Sequence, residues 1–128
     1  MEKRSYLAIQ TGLEQNMTFG KNKLLRQLHQ LTTSRQPVTK FEVKFYETHD
    51  KSVNATILIS LINGIVKWWN YDNLSLYFRF DVNYVIDFSY YKDKGIPHIS
   101  LLTKNRYIHV FKLEDFWKFS KITKVKLK

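Results

Sequence analysis

No cysteine occurs in the 128 residues. Its absence excludes a disulfide framework, thiolate zinc sites and a cysteine nucleophile. Glycine and proline are scarce, at four and two, and the four glycines form no phosphate-cradling loop. No serine stands in a nucleophile-elbow context. No apolar run reaches the roughly 18 residues that a membrane-spanning helix needs. The longest candidate, Ala55 to Trp69, is interrupted by Ser60, Asn63, Gly64 and Lys67. The start has an acid at Glu2 and only a short apolar patch, so no secretory signal is legible there.

What the chain does have is apolar mass and positive charge. Hydrophobic residues make up 44% and aromatics 16%, enough to bury a core and to exclude global disorder. The length is that of one domain. The wealth of Lys, Asn, Ile, Phe and Tyr has the look of translation from an AT-rich genome. The formal net charge is +10, from 21 Lys and Arg against 11 Asp and Glu. The surplus is uneven. Lys21 to Lys44 holds six bases against the single acid Glu42, and Lys118 to Lys128 holds five lysines and no acid. Between them, Val66 to Tyr90 carries Lys67 and Arg79 against Asp72, Asp81 and Asp87. Clustered bases on a folded domain release condensed counterions when they meet a polyanion, whatever its sequence. The bland alternative is a basic face that only confers solubility; the clustering favours a nucleic acid or another polyanion.

Periodicity gives a coarse map. Residues 1–12 read as an irregular arm. Thr18 can cap a helix carrying Leu24, Leu25, Leu28 and Leu31 on one face. That helix closes at Thr32 to Ser34, before Pro37. Phe41, Val43 and Phe45 alternate with Glu42, Lys44 and Tyr46 as in a half-buried strand. Asp50 reads as the N-cap of a second helix, with Val53, Ile57, Leu58, Leu61 and Ile62 as its apolar stripe and Gly64 as its stop. Strands are then expected at Ile65 to Trp69, Leu74 to Phe80, Ile86 to Tyr90, Ile96 to Leu102 and Arg106 to Lys112. Turns fall at Lys92 to Gly95 and Lys104-Asn105, Leu113 to Phe119 reads as a short helix, and 120–128 as a basic C-terminal tail. The expected class is α+β: two helices packed on a mainly antiparallel sheet, in one domain over 13–119.

Catalytic readings find little support in the spacing. His29, His49, His98 and His109 sit on different expected elements, and no pair has the helical spacing of a metal site. His98 and His109 can meet across adjacent strands, which more often means a surface pair than a ligand set. Asp81, Asp87 and Lys92 invite a nuclease reading, because metal-assisted phosphodiester cleavage needs carboxylates that converge on the metal. The usual acid-x-lysine strand is absent, however, since Asp87 is followed by Phe88 and Ser89. Trp68, Trp69 and Tyr71 are candidates for stacking on unpaired bases. Consecutive strand residues face opposite ways, so core or protein contact is the favoured role for them. Tyr77, Tyr91 and Trp117 suit contact with neighbouring proteins in an assembly.

The order helix, strand, helix, glycine, strand and hairpin resembles the N-terminal domain of the universal small-subunit ribosomal protein eight family. Asp50-Lys51 opens the second helix and Gly64-Ile65 closes it. Ile86-Asp87-Phe88-Ser89-Tyr90 fills the family's Leu-x-Leu-x-Tyr slot, Gly95-Ile96-Pro97-His98-Ile99 the next, and Lys104-Asn105-Arg106-Tyr107 the turn and basic-Tyr strand. The resemblance covers roughly Lys23 to Phe119, with a short insertion between the two helices. The family's C-terminal Ser-Thr-Ser-Lys-Gly domain has no counterpart.

The resemblance implies a shortened organellar version: a non-catalytic constituent of the small ribosomal subunit, in the mitochondrial matrix or in the cytoplasm of an AT-rich bacterium. Its partners would be small-subunit rRNA and neighbouring ribosomal proteins, with no membrane, cofactor, metal or small-molecule substrate. The expected phosphate contacts are Lys21, Lys23 and Arg26 on the first helix, Lys51 at the N-terminus of the second, Lys104 and Arg106, and the tail lysines Lys121, Lys124 and Lys126. The alternative is a nucleic-acid-binding accessory protein of a phage or mobile element.

Overall fold

Asn63-Gly64, which reads as a helix stop, is the two-residue loop of a β-hairpin. Both residues have positive φ, 50° and 78°, the pairing that a type I′ turn requires and that Asn-Gly satisfies best. The computed structural model describes residues 38–128, of which Thr39–Lys128 form one unit. Its strands are β1 (Val38–Glu47), β2 (Asn54–Ile62), β3 (Ile65–Asn70), β4 (Leu76–Arg79), β5 (Val85–Asp93), β6 (Ile96–Thr103), β7 (Tyr107–Asp115) and β8 (Lys118–Lys126). They make two four-stranded sheets, each a simple meander: β1-β2-β3-β4 and β5-β6-β7-β8.

The expected α+β class is therefore overturned: among the described residues there is no helix, and the fold is all-β. Residues expected to form the second helix are β2, paired antiparallel with β3 from Ile57↔Asn70 to Ile62↔Ile65. The physical reason lies in the residues themselves. A run of apolar residues fits a buried strand as well as a helical stripe, and here Thr56, Ile57, Ile59 and Ile62 are β-branched, which favours the strand. The expected helix at Leu113 to Phe119 is instead the end of β7, a two-residue loop and the start of β8. The expected C-terminal tail is mostly strand β8, where Ile122, Thr123 and Val125 supply β-favouring residues. The first helix and the N-terminal arm lie outside the described residues.

The two sheets share one core. Ile57, Ile59 and Leu61 of β2 and Val66 and Trp68 of β3 pack with Phe88 of β5, Ile99 and Leu101 of β6, and Phe111, Leu113 and Phe119. The β4–β5 connection adds Phe80 and Val82. Aromatic rings meet edge to face at the seam, as in Trp68–Phe119 at 4.7 Å and Phe80–Phe111 at 5.0 Å, the arrangement that the ring quadrupoles favour. The Trp68 indole N–H donates to the Phe116 carbonyl at 2.8 Å, joining β3 to the β7–β8 loop. On the other face of β2, Leu58, Ser60 and Ile62 are buried as well, and Ser60 Oγ accepts from the Trp69 indole at 2.8 Å.

The hairpin register sets which loops share an end of the molecule. The β2–β3 turn, the β4–β5 connection, the β6–β7 turn and the chain end after β8 lie together, tied by backbone bonds Val85 N–H to Gly64 O, Lys104 N–H to Tyr84 O and Leu127 N–H to Arg106 O. The β1–β2, β3–β4, β5–β6 and β7–β8 loops lie at the opposite end.

Candidate nucleic-acid interface

β8 is an edge strand. Its lysines come at spacings of three and then two, so in a regular strand Lys121 would face away from Lys124 and Lys126. A bulge changes this. The ladder with β7 pairs Val110 with Thr123 but Phe111 with Lys121, leaving Ile122 as the extra residue. Lys121, Lys124 and Lys126 therefore pair with Phe111, His109 and Tyr107 and lie on one face. Their ammonium groups sit over those neighbours' rings: Lys121 over Phe111 at 5.6 Å, Lys124 over Tyr107 at 4.5 Å and Lys126 over Tyr107 at 5.3 Å. The ring faces hold the lysines in a row about 13 Å long, the span from Phe111 to Tyr107 at about 3.3 Å per strand residue.

No ion pair among the described residues engages these three lysines, Lys104 or Arg106. His109 registers their field. It is 8% exposed, its Nδ1 has no hydrogen-bond partner, and its protonation is pushed to lower pH first by burial and then by Lys121 and Lys124. The β6–β7 turn continues the row. Thr103 Oγ1 accepts from Tyr107 N–H at 3.1 Å, and Arg106 N–H donates to Thr103 O at 2.9 Å. Arg106 itself takes φ 72°, the left-handed position that ends a three-residue hairpin loop. Its guanidinium donates to the Lys128 carbonyl.

The opposite end has a different character. Its charges are mixed: Asp50, Asp72, Asp93, Glu114 and Asp115 stand there with Lys51, Lys92, Lys94 and Lys118. Asp50 closes the β1–β2 turn, accepting from the side chain and backbone N–H of Ser52 and from the Thr48 hydroxyl, and these bonds lower its pKa to about 2. Lys51 is beside it, exposed and with φ 63°. The expectation puts Lys51 at a helix N-terminus. With no helix there, it has no aligned backbone N–H groups to share a phosphate, and it stands apart from the β8 row. Lys21, Lys23 and Arg26 lie outside the described residues. Of the bases expected to contact RNA, the fold thus brings together Lys104, Arg106, Lys121, Lys124 and Lys126.

The other candidates are dispersed. His98 pairs in register with Lys112, while His109 pairs with Leu101, so the two histidines face opposite sides of the sheet. No group of metal-binding side chains occurs among the described residues. Asp87 is bound by Lys40 at 3.0 Å, and that hydrogen bond, the largest influence, holds its carboxyl below the usual range. Lys92 is five residues further along β5, about 16 Å of extended chain. Trp68 and Trp69 are both buried, at 0% and 6% exposure, which removes them as base-stacking surfaces.

Sequence reasoning missed the bulge and the exposed Tyr84. The β-branched residues alternating with lysines after Phe119 are the available signal for a strand. No helix among the described residues is long and apolar enough to cross a membrane. No family model matches the chain, and no curated protein matches it.

Proposed function

We propose that this protein is a non-catalytic RNA-binding protein that holds phosphates along β8 and the β6–β7 turn, with little base readout. The observation that carries the proposal is the row of Lys121, Lys124 and Lys126, aligned by the bulge and free of ion pairs among the described residues. Lysine and arginine contacts of this kind set position and affinity, while base identity needs groove or edge contacts of another type. The ribosomal resemblance draws its weight from a helix ending at Gly64; that segment is β2, so the proposal stands on charge and geometry, with RNA as the partner class.

The test is salt-dependent binding. Five phosphate contacts predict a slope of log affinity against log salt near −3.5, or roughly 100-fold weaker binding between 50 and 200 mM salt. Replacing Lys121, Lys124 and Lys126 together by Gln should flatten the slope by about 2. Fluorescence anisotropy with a labelled RNA reads both quantities. Absence of binding at 50 mM salt, or an unchanged slope in the triple variant, rejects the proposal. Co-sedimentation with ribosomal subunits separates an rRNA partner from other RNA.

A further inference from the structure

Tyr84 is 73% exposed, the most exposed of the large hydrophobic side chains described. Its backbone is in the left-handed region, φ 60°, where a bulky side chain is strained and glycine or asparagine would sit more easily. The surroundings enforce this conformation. Val85 N–H donates to Gly64 O at 3.0 Å, and Tyr84 O accepts from Lys104 N–H at 2.8 Å. Gly64 lies so close that a Cβ there would come within 3.3 Å of Tyr84 N and Cα. The chain therefore holds an aromatic ring in water, against local preference, on a backbone fixed at both flanks. Burial does not explain it, and among the described residues the ring has no aromatic, cation–π or hydrogen-bond partner.

The neighbours indicate what the ring is for. Tyr84 is bonded directly to the backbone of Lys104, two residues from Arg106, at the basic end of the sandwich. The other aromatics are unsuited. Tyr107 is covered by Lys124 and Lys126, Tyr91 is stacked on His98 at 5.3 Å, and Phe45, near the β1–β2 loop, and Trp117, in the β7–β8 loop, lie toward the opposite end from Lys104 and Arg106. We infer that Tyr84 is a stacking platform for an unpaired base, with Lys104 and Arg106 binding the flanking phosphates, so that the RNA held there is single-stranded. This rests on the RNA-binding reading above and adds the strandedness of the ligand. A backbone held on both flanks lowers the ordering cost to that of the side chain alone when a base stacks on the ring, and stacking tolerates any base because every base has a π-face.

The experiment compares a labelled 12-nucleotide single-stranded RNA with a 12-base-pair RNA duplex, at 50 mM salt, using the full chain. The wild type should bind the single strand more tightly than the duplex. Tyr84→Ala should weaken single-strand binding roughly 5- to 100-fold and leave duplex binding within about twofold. Tyr84→Phe, which keeps the ring, should retain single-strand affinity. Tyr84→Asn should lose it as Tyr84→Ala does while its melting temperature stays level or rises, because asparagine accepts the left-handed backbone; that separates lost stacking from lost folding. Duplex preference in the wild type overturns the inference. So does wild-type single-strand affinity in both Tyr84→Ala and Tyr84→Asn, and if the β8 triple variant still fails to bind, phosphate binding by β8 stands without the stacking. No binding of either RNA by the wild type ends both readings.

Discussion

The edge strands β1 and β8, one from each sheet, carry lysines over aromatic rings, yet their lysines are in opposite electrostatic states. On β1, Lys40 and Lys44 flank Glu42, each 3.7 Å from its carboxylate, and Lys40 also reaches Asp87 of β5 at 3.0 Å and the Phe88 carbonyl at 2.7 Å. Lys40 and Lys44 sit over Phe88 and Tyr90, so β1 is clasped to the other sheet. On β8 the lysines rest on β7 rings, and no acid comes within ion-pair distance among the described residues. Lysines guard both edges against unwanted strand addition. Only those of β8 keep their charge available to a phosphate.

The sharpest way to break this contrast is to give β8 an acid of its own. Tyr107→Glu, opposite Lys126 in the ladder, should pair with Lys124 and Lys126 and weaken RNA binding about tenfold, with a shallower salt slope. Anisotropy against salt checks it, and unchanged binding would mean that those lysines do not meet phosphate.

A smaller effect is expected on β1. Lys40→Met removes the hydrogen bonds to Asp87 and Phe88 but keeps the apolar stem over the ring, so stability should fall by about 0.5–1 kcal/mol, as for a part-exposed pair, with RNA binding unaltered. The Asp87 carboxyl is held below its ordinary value mainly by the Lys40 bond. Its contribution is therefore fully present above the unfolded value, near 3.9, and disappears as pH falls below that through the lower folded value. Urea unfolding at pH 7 and at pH 3 should show the wild type losing more stability than the variant.

The smallest effect belongs to the bulge. Deleting Ile122, half exposed at 50%, restores a regular ladder with Lys121, Lys124 and Lys126 still on one face, so affinity should stay within about threefold. A large loss in the same anisotropy assay would show that the bulge acts beyond aligning the lysines.

Much of the strand-rich second half is legible in the sequence. The Lys94-Gly95 and Lys104-Asn105 turns and strands β3, β5, β6 and β7 follow from alternation and turn chemistry. β2 is not, because Ile57, Leu58, Leu61 and Ile62 satisfy a helical stripe while Ile59 and Thr56 favour extension, and Asn63-Gly64 suits either ending. β1 is recognisable as a strand, but its apolar side, with Val43 and Phe45, is exposed at 43% and 59%, while Lys40, Lys44 and Tyr46 face the other sheet. Alternation identifies two faces without saying which one meets the rest of the molecule.

By itself, then, the sequence determined the charge surplus, the lack of thiol chemistry, and the β5–β6 and β6–β7 turns, because these depend on residue identity and on neighbours a few positions apart. Tertiary structure decided which bases are neutralised and which are not. Lys40 finds Asp87 47 residues away, and Lys121 joins Lys124 only through a bulge set by pairing with β7. Electrostatic pairing weakens with distance and is screened beyond about 8–10 Å, so it is written in the register of strands rather than in the order of residues.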